Sequence, residues 1–203
     1  MKARAKRCRS PRQERSRKKV AAILAAARQL LEQEGAEALN TNRIALEAGI
    51  SVATLYEYFP NKGAIAHRLI EQFASEEATT IMQRFEESAD RDLEDGIAAI
   101  VRVVFEQYVA HSRLIDALWS MRSVARTIGH RPGEQIIMAA MRERLGAHRD
   151  ALSIRDLDLV CFVCFHMVES LAKQMVSQRQ GRWDDEACIA EITTAAVRYL
   201  GLD

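Results

Sequence analysis

An all-helical chain is what this sequence predicts, and three observations carry that expectation. Only nine glycines and three prolines interrupt 203 residues. Apolar side chains recur at spacings of three and four along most of the chain, the period of a helix with one buried stripe. Residues 40–59 read as two short helices around a tight turn. A composition of 48% hydrophobic and 28% charged residues fits a soluble globular protein with a sizeable core, and the length allows one or two domains. No internal repeat is visible.

The chain opens on charge. Its formal net charge is +1, but ten of the 29 Lys and Arg and one of the 28 Asp and Glu fall in residues 1–19, a net of +9. The remainder, 19 basic against 27 acidic, carries −8. Residues 1–16 are therefore read as a basic flexible arm that cannot bury enough apolar surface to fold alone. A signal peptide competes for this end, since VAAILAAA follows at 20–27. Against it, nineteen residues make a long n-region and eight a short h-region, and the apolar spacing continues past Arg28. Val20, Ile23, Leu24, Ala27, Leu30 and Leu31 form one stripe, and Gly35 follows as a stop, which predicts the first helix.

Asn40 is placed to cap a short helix ending at Ala48, with Gly49 in the left-handed stop position. Ser51 caps a second through Phe59, and Pro60 ends the unit. Ile44, Ala45, Ile50 and Leu55 supply apolar contacts between the two, and Leu55 and Phe59 are assigned to the core. A long helix follows Asn61 to about Glu87, with Ile65, Leu69, Phe73, Ile81 and Phe85 broadly in phase. Ile97, Ile100, Val101, Val104 and Tyr108 form the clearest stripe of the body. Helices are predicted near 113–128, 133–148, 156–179 and 184–200, with GHRPG at 129–133 as a loop. Helix 156–179 is too apolar for a surface helix and needs cover on more than one side.

The order Ile-Ala, Ala-Gly-Ile-Ser, Thr-Leu-Tyr, Tyr-Phe and Asn-Lys at 44–62 resembles that of the TetR family of bacterial transcriptional regulators, over roughly residues 17–75. A lone helix-turn-helix pattern is weak, whereas here glycine, caps, aromatic pair and lysine all fall in register. The competing reading is an ordinary helical hairpin with Tyr56, Tyr58 and Phe59 as core. The resemblance implies three parts: an arm at 1–16, a three-helix DNA-binding domain at 17–64 with its helix-turn-helix at 40–59, and a helical ligand-binding and dimerisation domain at 65–203.

In helix-turn-helix geometry the second helix enters the major groove with its N-terminal side chains on base edges. Ser51, Val52, Ala53 and Thr54 lie there, and only the hydroxyls can add a hydrogen bond to apolar contact such as that with a thymine methyl. The resemblance further implies Thr41, Asn42, Thr54, Tyr56, Tyr58 and Lys62 at the DNA, mostly on phosphates. Tyrosine suits this, because a rigid ring presents a hydroxyl to a phosphate oxygen. Glu57 is expected to point to solvent, and Gly63 departs from the acidic residue often found after the family's lysine.

The resemblance implies that the last two helices form a four-helix bundle with a second subunit and that the middle helices enclose a small-molecule pocket. Phe105, Tyr108, Trp119, Met121, Met138, Met141, Phe162 and Phe165 are candidates to line it, or plain core. Two recognition helices about 34–36 Å apart would read a palindrome on double-stranded DNA. Cys161 and Cys164, with His166, could suggest metal or redox chemistry. The pair lies within an apolar helix, the haem pattern needs His directly after the second Cys, and a second ligand cluster is lacking. Four cysteines suit a reducing compartment. No apolar run approaches the ~20 residues of a membrane span. Ser170-Leu-Ala-Lys173 matches S-x-x-K without its partner motifs. The expectation is thus a cytoplasmic, nucleoid-associated homodimer without catalytic residues, metal or cofactor, a repressor released from its operator by a small-molecule effector. The alternative is an activator or a redox-responsive regulator of the same fold.

Overall fold

The structure, a computed structural model, describes residues 11–121, 133–149, 152, 156–178 and 181–202. Its described elements, all helical, are α1 (Pro11–Glu34), a single 3-10 turn (Ala36–Ala38), α2 (Thr41–Glu47), α3 (Val52–Tyr58), α4 (Lys62–Glu87), α5 (Leu93–Ala110), α6 (Ser112–Ser120), α7 (Glu134–Ala147), α8 (Leu157–Gln178) and α9 (Asp185–Leu200). They divide into two compact units, one of residues 1–70 and 117–126, the other of 71–116 and 127–203.

In the first unit α1 supplies the floor. Ile23, Leu24, Ala27, Leu30 and Leu31 are buried at helical spacing, joined by Ala26. α2 packs on α1 and α3 on α2, enclosing Ile44, Ala45 and Leu55 completely or nearly so. Both short helices are capped from their own sequence. Asn40 Oδ1 accepts from the Asn42 amide at 2.8 Å, and Ser51 Oγ from the Thr54 amide at 3.1 Å. Gly49, at φ +66, turns the chain between them in a conformation that disfavours a β-carbon. Arg43 adds a two-pronged bond to Glu34 at the end of α1, at 2.9 and 2.6 Å. That bond holds the Glu34 carboxyl below and the Arg43 guanidinium above their ordinary values.

In the second unit α8 packs against α5, α7 and α9. Its buried residues Cys161, Cys164, Val168 and Ala172 follow one another at three or four, a single inward stripe. α9 buries Cys188, Ile189, Ile192, Ala196, Val197 and Leu200. Arg102 on α5 reaches Glu186 on α9 with two bonds of 2.6 Å. Arg144 on α7 donates to the carbonyls of Ala89 (2.6 Å), Ser88 (2.8 Å) and Arg91 (3.0 Å), a cation set on the open carbonyls that follow the end of α4.

Some boundaries differ from those predicted. α1 begins at Pro11, so residues 11–16 of the expected arm extend the helix and 1–10 lie outside the described residues. The 3-10 turn at Ala36–Ala38 has no counterpart among the predicted elements, because three residues leave no period to detect. α6 ends at Ser120 rather than near 128, and residues 122–132, with most of the expected loop at 129–133, lie outside the described residues. α8 has 22 residues and contains an 18-residue stretch of mean hydropathy 1.4, which meets the length and composition of a bilayer span, a test that core helices also pass, so the expectation of no membrane span is not overturned. The scattered Asp158, His166, Glu169 and Lys173 break the continuous run without lowering the average. Only 22% of that stretch is buried, and Leu159 and Phe162 are more than half exposed.

Gly133, which precedes α7, has φ +96, and a β-carbon there would run into the Ala78 methyl and meet the Ala74 carbonyl oxygen at 3.3 Å. Gly133→Ala should therefore lower stability by about 2 kcal/mol or more, as a fall in the denaturation midpoint at constant m. Gly181→Ala, at φ +79 with open space around it, should cost only the backbone part, about 1–2 kcal/mol. Equal effects at both sites would refute the close approach.

Burial also pushes the Cys164 thiol up to about 11 and raises that of Cys161. In a Cys8→Ser background, a thiol reagent near pH 8 should label Cys161, Cys164 and Cys188, all buried and free, no faster than the protein opens. A rapid stoichiometric phase would revive the redox reading.

Candidate nucleic-acid interface and effector cavity

The turn between α2 and α3 sets out a small array of hydroxyls. Tyr56 is 51% exposed, and its hydroxyl lies 3.2 Å from that of Thr41, one helix away. The ring is thus steadied at its outer end by a polar neighbour on α2. At the start of α3, Ser51 has two roles. Its oxygen caps the Thr54 amide while its hydroxyl donates to Thr54 Oγ1 at 3.0 Å. Thr54 therefore keeps its own proton to offer outward.

Ala53 is exposed and Val52 half-buried on the same first turn, and Asn42 is exposed on α2. Tyr58 is half-buried. Lys62 is exposed at the first position of α4, where Asn61 Oδ1 takes the Ala64 amide at 2.9 Å. Glu57 is exposed, while Leu55 and Phe59 are buried, so the aromatic pair divides, with Phe59 in the core and Tyr58 at its edge. An ordinary hairpin with Tyr56 in its core does not fit that exposure. Of the sequence-predicted residues, Thr41 with Tyr56 and Ser51 with Thr54 are brought into direct contact.

In the second unit, α4, α5, α7 and α8 enclose a cavity of about 90 Å3. Ile81 and Phe85 of α4, Ile97, Ile100, Val101 and Val104 of α5, Ile137, Met141 and Leu145 of α7, and Cys164, Phe165 and Val168 of α8 give it an apolar wall. Glu77, Ser88, Glu134, Arg144 and Glu169 supply its polar groups. Glu169 accepts from the Tyr108 hydroxyl at 2.9 Å, and His166 lies 3.7 Å from both Glu134 and Glu169, against the rings of Phe162 and Phe165.

Among the residues singled out for a pocket, Met141 and Phe165 are on this wall. Phe105 is fully buried and Tyr108 nearly so, away from the cavity surface, while Phe162 is 51% exposed. Trp119, Met121 and Met138 are half-buried and off the wall. The wall is built from branched aliphatic residues and glutamates, which selecting for aromatic rings and methionines passes over. The helical phase of Ile81 and Phe85 is the available signal on α4, whereas nothing local marks Glu134 or Glu169.

Among the described residues, no group of three or more His, Cys, Asp or Glu could hold a metal ion.

Comparison with known proteins follows the same division. Residues 23–69 match the model of bacterial regulatory proteins of the tetR family, and residues 92–200 match that of the tetracyclin repressor-like C-terminal domain. The HTH-type transcriptional regulator EthR of Mycobacterium tuberculosis is 31% identical over 104 residues, 51% of this chain and 48% of EthR. The chain thus spans about half the length of the curated relatives it matches. Among solved structures, one from Mesorhizobium loti MAFF303099, assigned to the TetR-family transcriptional regulators, superposes with a TM-score of 0.70 at 19% identity, covering 93% of this chain and 98% of its own. The regulator FadR from Bacillus subtilis, in complex with stearoyl-CoA, gives 0.62 at 17% identity over 87% of this chain and 97% of its own. These two show the fold. Because the two family models match in order and the second alone spans more than half of the chain, the protein belongs to the TetR family of bacterial regulatory proteins.

Proposed function

We propose that the protein is a homodimeric transcriptional repressor that binds a palindromic operator through α3 and is released by a small molecule held in the cavity of its second unit. The observation that carries the reading is the pairing of exposed Tyr56 with Thr41 beside the capped start of α3, in a chain of this family. Thr54, Val52 and Ala53 are assigned to base edges. Thr41, Asn42, Ser51, Tyr56, Tyr58 and Lys62 are assigned chiefly to phosphates. The basic residues before α1 add charge that neutralises further phosphates. Membership of this family supports action by binding alone, in the cytoplasm.

The exposed apolar face on the last two helices supports the dimer. Leu159 (57%), Phe162 (51%) and Tyr199 (39%) leave large apolar side chains in water, a surface that a second copy would cover. The cavity supports an effector, and FadR, a neighbour of this fold, is solved in complex with stearoyl-CoA. Release requires that the effector favour a state that cannot bind the operator, and its effect is bounded by its differential affinity for the two states. A small molecule fits better than oxidation, because the three described thiols are buried and two are pushed upward.

Selection of bound duplexes from a random library tests the reading, with an enriched palindrome expected and no enrichment refuting sequence-specific binding. On that operator, Tyr56→Phe should weaken binding about five- to tenfold with little change in preference among sequences, the worth of one hydrogen bond. Thr54→Ala should alter preference. Deleting residues 1–10, which hold five Lys or Arg, should flatten the dependence of log affinity on log salt by about 0.9 for each phosphate that is no longer neutralised. Phe162→Glu should shift the protein toward monomer in sedimentation and abolish operator binding; a stable dimer would remove α8 from the interface.

A further inference from the structure

The cavity of the second unit has charged residues on its wall, yet nearly all of the surface that faces it is hydrocarbon. The charged heads are turned to other partners. Arg144 commits its guanidinium to three backbone carbonyls at 2.6–3.0 Å. Glu169 accepts from the Tyr108 hydroxyl at 2.9 Å, and its second oxygen, like Glu134 Oε1, lies 3.7 Å from a ring nitrogen of His166. Ser88 donates to the Phe85 carbonyl at 3.2 Å, and Glu77, 6% exposed, is engaged within the protein as well. These residues therefore line the wall chiefly with the carbon of their stems. Among the described residues, no fully buried side-chain nitrogen or oxygen lacks a hydrogen-bond partner. The Cys164 thiol, also on the wall, is pushed up to about 11 by burial and stays uncharged near neutral pH. A charged or strongly polar ligand head would have to leave water without gaining a bond in return, a cost that an apolar wall does not offset.

Resting on the effector reading above, we propose that the cavity selects a small uncharged hydrocarbon, held by contact and desolvation alone among Ile97, Ile100, Val104, Ile137, Met141 and Phe165, and that it rejects acids and amines of the same shape. Volume sets the size. An engineered apolar cavity of about 150 Å3 stays dry and holds benzene or xenon. At about 90 Å3 the present one suits a smaller body, a ring or chain of about five carbons. Within that limit each added methylene should tighten binding about fourfold, because the gain comes from apolar surface leaving water. Met141, unbranched and adaptable, lets the wall close on bodies of slightly different outline.

Titration calorimetry of the full chain near pH 7.5 with cyclopentane, cyclopentanol, cyclopentylamine and cyclopentanecarboxylate, at matched ionic strength, tests the preference without reference to DNA. Cyclopentane should bind about tenfold or more tightly than the alcohol, whose hydroxyl would be buried without a bond, and the two ions should not bind measurably. Ile100→Phe, at a half-buried position of the wall, should fill the space and weaken cyclopentane binding about tenfold or more. Phe85→Ala, also half-buried on the wall, should enlarge the space and admit toluene, which provides a second readout if the first variant does not fold. Equal or tighter binding of any of the three polar ligands, no binding of cyclopentane, or an unchanged affinity in a folded Ile100→Phe overturns the proposal. Release of the operator is measured separately. Cyclopentane that binds while the operator stays bound upholds the cavity's preference and removes the release mechanism. An acid or amine that binds better and releases DNA does the reverse.

Discussion

A helix of seven residues cannot hold its own shape in water, and α2 and α3 have seven each. Everything that the first unit presents outward rests on their packing against the apolar stripe of α1 and against each other. Caps at Asn40 and Ser51 satisfy amides at their starts, and Ile44, Ala45 and Leu55 supply the contact that propensity alone cannot. Arg43 and Glu34 then tie the outside of α2 to the end of α1. The pair is exposed, so water and salt screen it, and the contribution it makes falls away as acid protonates Glu34 through its lowered titration range. Packing, not this ion pair, keeps the hydroxyl array in place.

The second unit meets a different constraint. Its central helix, α8, has too much hydrocarbon for one neighbour to cover, and α5, α7 and α9 bury only one stripe of it. What is left over faces either the cavity or solvent. Phe165 lies on the cavity wall and Phe162 is half in water, only three positions apart on the same helix. A single sequence feature, the apolar run at 159–168, thus feeds the cavity and the proposed dimer face together, so substitutions in it are poorly suited to separating the two.

The first unit is legible in the sequence because its determinants are local. The Asn40 and Ser51 caps, Gly49, and the burial of Leu55 and Phe59 are all decided within a few residues of themselves, and all stand in the structure as read. The stripe on α1 follows from period alone. The cavity is less legible, since its wall is assembled from positions far apart in the chain. Glu77, Glu134 and Glu169 each look like one more solvated charge on a helix until three helices bring them to one enclosure. Arg144 likewise finds its carbonyl partners more than fifty residues away.

The contact between the Thr41 and Tyr56 hydroxyls has a kinetic and entropic side. An exposed tyrosine normally samples several rotamers, and ordering such a side chain on binding costs about 0.5–1.5 kcal/mol. Here the ring is already parked by a bond that either hydroxyl can donate, so most of that ordering is completed during folding. Meeting an acceptor such as a phosphate oxygen then requires a proton to swing from one oxygen to another, not a side chain to search, a rearrangement fast enough to keep pace with a protein sliding along a duplex.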